Sequence, residues 1–321
     1  MKFLLLSIVA LYFANLTLSA QSQPADLSKY TDLVSEERLR RVVSFLSDDS
    51  AGGRRTGSSE MTMVTAFLLD RFKSMPIVPL SDSAMVRSFL VNYTAIGRNI
   101  IGVLPSRYYT DKYVVVSAHY DHIGTLDGNI YNGADDNASG VAALLTIADM
   151  FSRMRYDNIG PAYNIIFALF DAKESNMAGS ENFLNNLPIP EKNILYEVNI
   201  DQIGCTLSPP GHNENYILML ADQDIRYDIR RRLDYINTVY RYNMDIDHTF
   251  YNSPPFLEVF FKISDQYSFS KRGIPSILFT SGINMHTYKQ EDDYDLLNYP
   301  VLANRTKLIF HLINNLLERP F

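Results

Sequence analysis

Several apolar segments of this 321-residue sequence are followed by side chains that can bind a metal or transfer protons. These segments and the residues after them are Tyr113–Ala118 with His119 and Asp121, Asn164–Phe170 with Lys173 and Glu174, Leu195–Ile200 with Asp201, and Pro275–Thr280 with His286. Asp135 and Asp136 lie in a Gly-Ala-Asp-Asp turn between the first two segments. Zinc is bound by imidazole and carboxylate groups, and carboxylates sharing one pocket repel one another unless a cation lies among them. The pattern therefore indicates a metal site.

Each of these residues also has an ordinary structural explanation. A single histidine after a strand is more often a surface or core residue than a ligand. Asp135 and Asp136 could simply cap the helix that follows them. The metal interpretation is favoured because all of the ordinary explanations would otherwise have to hold together at one edge of one sheet.

The elements that would position these side chains alternate between strands and helices. Six strand candidates are short and rich in Val, Ile, Phe and Tyr: the four segments above, Asn99–Leu104 and Tyr216–Leu220. Apolar residues spaced three and four apart from Val141 to Phe151 indicate one helix, and the stretch from Pro300 to Leu317 indicates another. This alternation predicts an α/β fold with a mostly parallel mixed β-sheet and helices on both faces. Ligands of such sheets bind beyond the carboxyl ends of the strands.

The N-terminal segment predicts an exported protein. Residues 1–20 carry one charge and then an apolar run, which is the layout of a signal peptide cleaved after Ala20. A membrane anchor is the alternative, but the run is shorter than the roughly 20 residues that span a bilayer, and Asn15 interrupts it. We therefore expect a periplasmic or secreted protein, with a flexible lead-in at residues 21–35 and a single domain at residues 36–321.

Composition excludes several other classes of protein. The chain is 46% hydrophobic and 20% charged, which excludes a disordered or collagen-like chain. The net charge is −7 without a basic stripe, so neither nucleic acid nor, after removal of the signal peptide, a membrane is expected as a partner. The one cysteine, Cys205, excludes a disulfide framework and is expected to be a buried small apolar group. The sequence leaves the oligomeric state open.

The motifs around these residues resemble those of the zinc-dependent aminopeptidases of peptidase family M28, in order and across nearly all of the chain after residue 20. They are AHYDHIG (Ala118–Gly124), NGADDNASGVAALL (Asn132–Leu145), FALFDAKESNMAGS (Phe167–Ser180), NIDQIG (Asn199–Gly204), SDQYSFSKRGIPSILFT (Ser264–Thr280) and His286-Thr287, with AGGRRTGSSE (Ala51–Glu60) and GRNIIGVL (Gly97–Leu104) upstream. The resemblance implies two zinc ions per chain, bridged by Asp136. His119 and Asp201 would complete one zinc site. Glu174 and His286 would complete the other.

Two further positions bear on catalysis. The resemblance implies that Asp121 orients the His119 ring through its second nitrogen. It also implies a glutamate as proton acceptor just before Glu174, but this sequence has Lys173 there. A lysine has an ordinary pKa of about 10.4 and cannot accept a proton while it is charged. Lys173 is then either a neutral base or a side chain that swings away. Alternatively, it pairs with Asp171 or another acid and replaces part of one metal's charge.

Three functional hypotheses follow. The first is an exported zinc-dependent exopeptidase that hydrolyses N-terminal peptide bonds of a peptide substrate with metal-activated water. The second is a relative that binds metal and peptides without turnover. The third is a glutaminyl-cyclase-like acyltransferase, which shares the fold and uses one zinc.

We also predict the positions of one more histidine and of an aromatic-rich region. His122 is expected to be a surface residue, because it lies just past an extended segment. An aromatic-rich region either lines a substrate pocket or belongs to the core, and its members are Phe250, Tyr251, Phe256, Phe260, Tyr267 and Phe269.

Overall fold

A mixed eight-stranded β-sheet forms the centre of the protein in a computed structural model that describes residues 26–81 and 84–318. The strands are β1 (Val86–Val91), β2 (Ala95–Leu104), β3 (Tyr113–His119), β4 (Gly124–Leu126), β5 (Asn129–Tyr131), β6 (Asn164–Phe170), β7 (Ile194–Ile200), β8 (Tyr216–Ala221), β9 (Asp245–Asp247) and β10 (Ser276–Thr280). The order across the main sheet is β1-β2-β6-β3-β7-β10-β8-β9, and β4 and β5 form a separate hairpin. The three pairings in the centre, from β6 to β10, are all parallel, whereas antiparallel pairings occur toward both edges.

Alternate residues of the central strands enter two separate apolar clusters. Val114 and Val116 of β3 belong to the larger cluster, whereas Val115 between them belongs to a smaller one. Because successive side chains of a strand point to opposite faces, both faces of the sheet are covered. This is why the central strands read as continuous apolar runs in the sequence.

Helices cover the two faces. The α-helices of the described residues are α1 (Ser28–Thr31), α2 (Glu36–Leu46), α3 (Met61–Lys73), α4 (Gly140–Tyr156), α5 (Ala178–Asn185), α6 (Gln223–Val239), α7 (Pro254–Phe260), α8 (Gln266–Ser270) and α9 (Tyr299–Glu318). Helices α2, α4, α6 and α9 contribute side chains to the larger cluster, and α5 and α8 contribute to the smaller one. The predicted α/β fold, with a mixed sheet between two helical layers, is therefore confirmed.

All six predicted strands are present, and β6 has the predicted bounds. Strand β2 begins at Ala95, earlier than predicted, because its first residues pair with the edge strand β1. The sequence analysis missed β1, β9 and the β4–β5 hairpin. These are short or edge strands with partly exposed residues, so their sequences lack the continuous apolar runs of the central strands.

Part of the predicted lead-in is folded. Residues 28–31 form α1, and the hydroxyl group of the buried Tyr30 donates a hydrogen bond of 2.9 Å to Asp157. Leu27 also belongs to the larger apolar cluster. The prediction of a flexible lead-in at residues 21–35 is therefore wrong from residue 26 onward, because apolar side chains of this segment pack into the core.

The segment predicted as a signal peptide, residues 1–20, lies outside the described residues. Within the described part of the chain, no helix combines the length and the apolar character that crossing a bilayer requires. The signal peptide therefore stays a prediction, whereas the folded domain begins before residue 36, because Leu27 and Tyr30 already belong to the larger cluster.

Candidate metal centre

The carboxyl ends of three neighbouring parallel strands bring most of the predicted site residues together. His119 ends β3, Asp201 directly follows β7, and the turn after β6 carries Lys173 and Glu174. Asp136 comes from the turn that leads into α4. This is the edge at which ligands bind in sheets of this kind.

His119, Asp136 and Asp201 form what we call the first group, and all three side chains are buried. The Nε2 atom of His119 lies 3.2 Å from Oδ1 of Asp201 and 3.3 Å from Oδ1 of Asp136. One donor atom from each residue lies within 4.8 Å of the other two. The donors and their spacing fit zinc, which takes imidazole nitrogen and carboxylate oxygen at about 2.0–2.2 Å.

The electrostatics of Asp136 also fit a bound cation. Both carboxylate oxygens of Asp136 are buried and neither accepts a well-formed hydrogen bond. Burial acts to raise the pKa of Asp136, but Lys173, His119 and His122 outweigh it and hold that pKa well below its usual value. A buried, ionised carboxylate without hydrogen-bond donors is costly unless a cation pairs with it. The first group therefore fits a divalent cation.

Asp121 positions both His119 and the turn after β6. The Nδ1 atom of His119 lies 3.1 Å from the backbone carbonyl oxygen of Asp121 and 3.5 Å from its carboxylate. That carboxylate accepts hydrogen bonds of 3.0 and 3.1 Å from the backbone amides of Lys173 and Glu174. The main-chain carbonyl thus makes the shorter contact to the His119 ring, while the carboxylate fixes the turn that carries Glu174.

Lys173 points into the site. Its side chain is 6% exposed, and Nζ lies 3.1 Å from Oε1 of Glu174 and 3.8 Å from Oδ1 of Asp136. Burial acts to lower the pKa of Lys173, but Asp136, Asp201 and Glu174 outweigh it and raise the pKa above its ordinary value. Asp171 accepts its hydrogen bonds from a threonine hydroxyl and two backbone amides instead. The structure therefore favours a charged lysine paired with Glu174 and Asp136 over a neutral base.

His122, Asp136 and Glu174 form a second group that shares Asp136 with the first. The prediction that His122 is a surface residue is wrong, because its side chain is 1% exposed. Neither ring nitrogen of His122 has a hydrogen-bond partner, and Nδ1 lies 3.9 Å from Oδ2 of Asp136. Burial lowers the pKa of His122 to about 4, so the ring is neutral at pH 7 and can donate a lone pair.

The burial of His122 depends on a glycine. Gly133 has a φ of +59°, in the left-handed region that favours glycine, and it directly precedes the turn that carries Asp136. A Cβ atom at this position would lie 2.4 Å from the backbone oxygen of Asp136 and 2.6 Å from the His122 ring. Only a residue without a side chain lets the ring and the turn approach each other this closely.

His286 belongs to neither group among the described residues, in contrast to the prediction. Its loop follows β10 and forms local turns. The backbone amide of His286 donates to the Asn284 side chain at 2.8 Å, and its carbonyl accepts from the Lys289 amide at 2.9 Å. Tyr288 of the same loop has its ring 5.9 Å from Nζ of Lys173. The nitrogen donor beside Glu174 is therefore His122.

Two buried charged residues, which the sequence analysis did not single out, hold the turn that carries Asp136. The Arg54 guanidinium donates hydrogen bonds to five backbone carbonyls, those of Leu46, Tyr120, Asn132, Gly133 and Asp136. The Asp292 carboxylate accepts hydrogen bonds of 2.8 and 3.1 Å from the amides of Asp135 and Asp136. Arg54 stands beside an exposed arginine, and Asp292 lies in an acidic run, so neither local sequence marks its residue as buried.

A small cavity of about 60 Å³ lies beside the first group, with Asp201 and Lys173 among its lining residues. Phe250, Phe260 and Leu278 supply much of its apolar wall. The aromatic-rich region is thus divided: two of its rings line this cavity, whereas Phe269 belongs to the smaller apolar cluster of the core. Cys205 is buried, as predicted.

Comparison with known protein families identifies the chain. A profile described as peptidase family M28 matches residues 99–313, more than half of the chain and the whole stretch that carries both groups. The chain belongs to peptidase family M28. The resemblance found in the motifs is therefore confirmed. The matched stretch includes Lys173, which directly precedes Glu174.

Curated relatives of this M28 chain match parts of it. A stretch of 110 residues is 36% identical to the BOS complex subunit ncln of Danio rerio, covering 34% of this chain and 19% of that protein. A stretch of 204 residues is 26% identical to a probable zinc metalloprotease of Pyrenophora tritici-repentis, covering 59% of this chain and 45% of that protein. The matched stretches therefore span less than half the length of these relatives.

Solved structures share the fold over most of the chain. LapB from Legionella pneumophila has a TM-score of 0.68 at 19% identity, covering 92% of this chain and 75% of that one. The zinc aminopeptidase BSAP from Bacillus subtilis has a TM-score of 0.65 at 12% identity, covering 88% and 95%. Glutaminyl cyclase from Porphyromonas gingivalis has a TM-score of 0.65 at 16% identity, covering 88% and 99%. At these identities the likeness shows a common fold.

Proposed function

We propose that this M28-family protein is an exported, zinc-dependent aminopeptidase that hydrolyses the N-terminal bond of peptides. The observation that carries the proposal is the first group, His119, Asp136 and Asp201, buried together at the strand ends. Membership of family M28 supports peptidase chemistry. The fold shared with a zinc aminopeptidase supports an exopeptidase.

The orientation of His119 and the ionised state of Asp201 suit the first group to bind zinc. A zinc ion bound there would polarise the peptide carbonyl and supply an activated water. The contact between His119 Nδ1 and the Asp121 carbonyl turns Nε2 of His119 toward the two aspartates. Burial acts to raise the pKa of Asp201, but Lys173 and His119 outweigh it and lower that pKa, so the carboxylate stays ionised. The Ser264 hydroxyl donates a hydrogen bond to its second oxygen.

Glu174 is the proton acceptor in this proposal. Lys173 is held in its charged form and cannot accept a proton, whereas Glu174 offers a carboxylate on the same turn, outside the first group. The backbone amide of Glu174 is fixed by Asp121, which keeps the carboxylate at the site. Glu174→Gln is therefore expected to lose hydrolysis while the zinc content stays at the wild-type level.

The cavity beside Asp201 supports a preference for small apolar N-terminal residues. Its volume of about 60 Å³ leaves room for a side chain of the size of Ala or Val, and Phe250 and Phe260 provide an apolar wall. We expect Ala- and Val-p-nitroanilide to be cleaved faster than the Trp and Asp derivatives.

The test is hydrolysis of free and N-acetylated peptides by the zinc-loaded protein. An aminopeptidase releases the first residue of free peptides only, and Asp201→Asn should abolish that release. The exposed Asp295 allows a matched control, since Asp295→Asn removes a carboxylate that pairs with Arg40 and belongs to neither group. Failure to release any residue from free peptides, with zinc bound, would rule out the proposed activity.

Binding without turnover is a second candidate, and the position of Lys173 favours it. The family resemblance implies a carboxylate at this position, and the structure has an ammonium paired with Glu174 instead. Titration calorimetry with free peptides, followed by mass spectrometry, separates the two candidates: heat without product indicates a binding protein. Peptides that begin with glutamine belong in the same assay, because loss of ammonia would reveal a cyclase.

Export is tested separately. The proposal expects the mature protein outside the cytoplasm, beginning after Ala20. Cell fractionation with N-terminal sequencing of the recovered chain checks this. A cytoplasmic chain that retains residues 1–20 would contradict it.

A further inference from the structure

The Lys173 ammonium lies between two carboxylates of the second group. Nζ is 3.1 Å from Oε1 of Glu174 and 3.8 Å from Oδ1 of Asp136, and its side chain is 6% exposed. Its position is fixed from the backbone, because the Lys173 amide donates a hydrogen bond of 3.0 Å to Asp121. The head group therefore lies between the Glu174 carboxylate and Oδ1 of Asp136, the oxygen that also faces His119.

The net charge of the two groups favours binding of one divalent cation over binding of two. The residues of the two groups supply three buried or largely buried carboxylates, those of Asp136, Asp201 and Glu174. One divalent cation together with the Lys173 ammonium balances these three negative charges. A second divalent cation would leave an excess of two positive charges, with the ammonium only a few ångströms away. Like charges at such distances repel strongly in a buried site.

We propose that the protein binds one divalent cation, at His119, Asp136 and Asp201, and that the Lys173 ammonium takes the place of a second. This inference rests on the metal dependence in the proposed function, and it differs from the two zinc ions that the resemblance implies. Lys173 is then a permanent positive charge of the chain, which holds Asp136 and Glu174 together without a metal.

A consequence concerns His122. Both of its ring nitrogens are buried and unpartnered, and one lies within 4.8 Å of donor atoms of Asp136 and Glu174. Removal of the ammonium would leave these three residues as a set of donors for a second cation. His286 lies outside this set, so it is not required.

The test is the zinc content of the purified protein after equilibrium dialysis, measured by plasma mass spectrometry. We expect one zinc per chain for the wild type and for Lys173→Arg, which keeps the charge. Lys173→Met has a similar length without the charge, and we expect two zinc ions. Adding His122→Ala to Lys173→Met should return the count to one, whereas adding His286→Ala should leave it at two.

Four outcomes would overturn the inference: two zinc ions in the wild type, none in the wild type, one in Lys173→Met, or loss of the second ion with His286→Ala but not with His122→Ala. Circular dichroism establishes that each variant is folded, and Lys173→Gln replaces the methionine variant if that one is not. The proposed function fails differently, because a wild type with one zinc and no peptide hydrolysis would leave this inference intact.

Discussion

The two groups at the strand ends share Asp136 but differ in what balances their charge. The first group has only buried donors around a space suited to a metal, with His119 Nε2 about equally distant from its two aspartates. The second group already contains a cation, the Lys173 ammonium, and the ring nitrogens of its His122 have no hydrogen bond. We infer that Lys173 thus divides a site to which the resemblance assigns two zinc ions into a half that binds a metal and a half that the chain neutralises itself.

The largest expected effect is the loss of the first group. Asp201→Asn removes a charged ligand, and we expect zinc affinity to fall by more than about 100-fold, since even residues that only support ligands contribute 10–100-fold. Peptide hydrolysis should fall with it. Zinc titration with a competing chelator measures the affinity, and Asp295→Asn serves as the control. Unchanged affinity in Asp201→Asn would mean that the metal is held elsewhere.

The next prediction concerns the charge at position 173 in the second group. Lys173→Glu removes the ammonium that pairs with Glu174, the proton acceptor of the proposed function, and adds a carboxylate where the resemblance implies one. We therefore expect peptide hydrolysis to rise, by at most about 10²–10⁴-fold. Lys173→Met is the matched control, because it removes the charge without adding an acceptor. Rates from initial-velocity assays at saturating zinc provide the measurement. Equal rates for the glutamate and methionine variants would show that the charge alone, and not the acceptor, limits the reaction.

The sequence predicted the first group well and the second poorly, for a physical reason. His119 and Asp201 end apolar strands, so the pattern that predicts the strands also places these residues at one edge. His122 lies three residues beyond His119, and its backbone amide donates to the Arg54 carbonyl. That contact, between segments distant in sequence, turns His122 inward, and no local pattern reports it.

The same explanation applies to His286 and to the lead-in. Whether His286 reaches the site depends on turns closed by Asn284 and Lys289, which a motif match does not resolve. Tyr30 lies in a polar stretch that is typical of a flexible terminus, yet its hydroxyl bonds Asp157 at the end of α4. The central strands can be predicted because they are continuous apolar runs in the sequence. The positions of His286 and Tyr30 depend on tertiary contacts, which a local sequence pattern does not show.

Arg54 supports both groups through the turn that they share. Its guanidinium is fully buried and charged, although burial lowers its pKa to about 10. Arg54→Met would remove the hydrogen bonds that the guanidinium donates to five backbone carbonyls, and we expect the free energy of unfolding to fall by at least about 3 kcal/mol. Urea unfolding checks this, with the exposed Arg55→Met as the control. Equal midpoints for the two variants would show that the turn is held without Arg54.

The smallest expected effect is the contribution of His311, which belongs to neither group, to the loss of stability at acid pH. Burial lowers the pKa of His311 to about 4, and its ring stacks on Tyr240 with centroids 3.6 Å apart. The unfolded chain binds the proton first, so this histidine lowers stability as pH falls from about 6.5 to about 4, by up to ~3 kcal/mol. His311→Phe should flatten that decline in urea unfolding, whereas a substitution of the exposed His212, His212→Gln, should not. An unchanged decline in His311→Phe would contradict this assignment.

The most direct test of the asymmetry is a crystal structure of the zinc-soaked protein with anomalous differences collected at the zinc absorption edge. We expect one strong peak among His119 Nε2, Asp136 and Asp201, with the Lys173 ammonium still between Glu174 and Asp136. Two peaks of similar height, or a single peak held by Glu174 and His286, would contradict it.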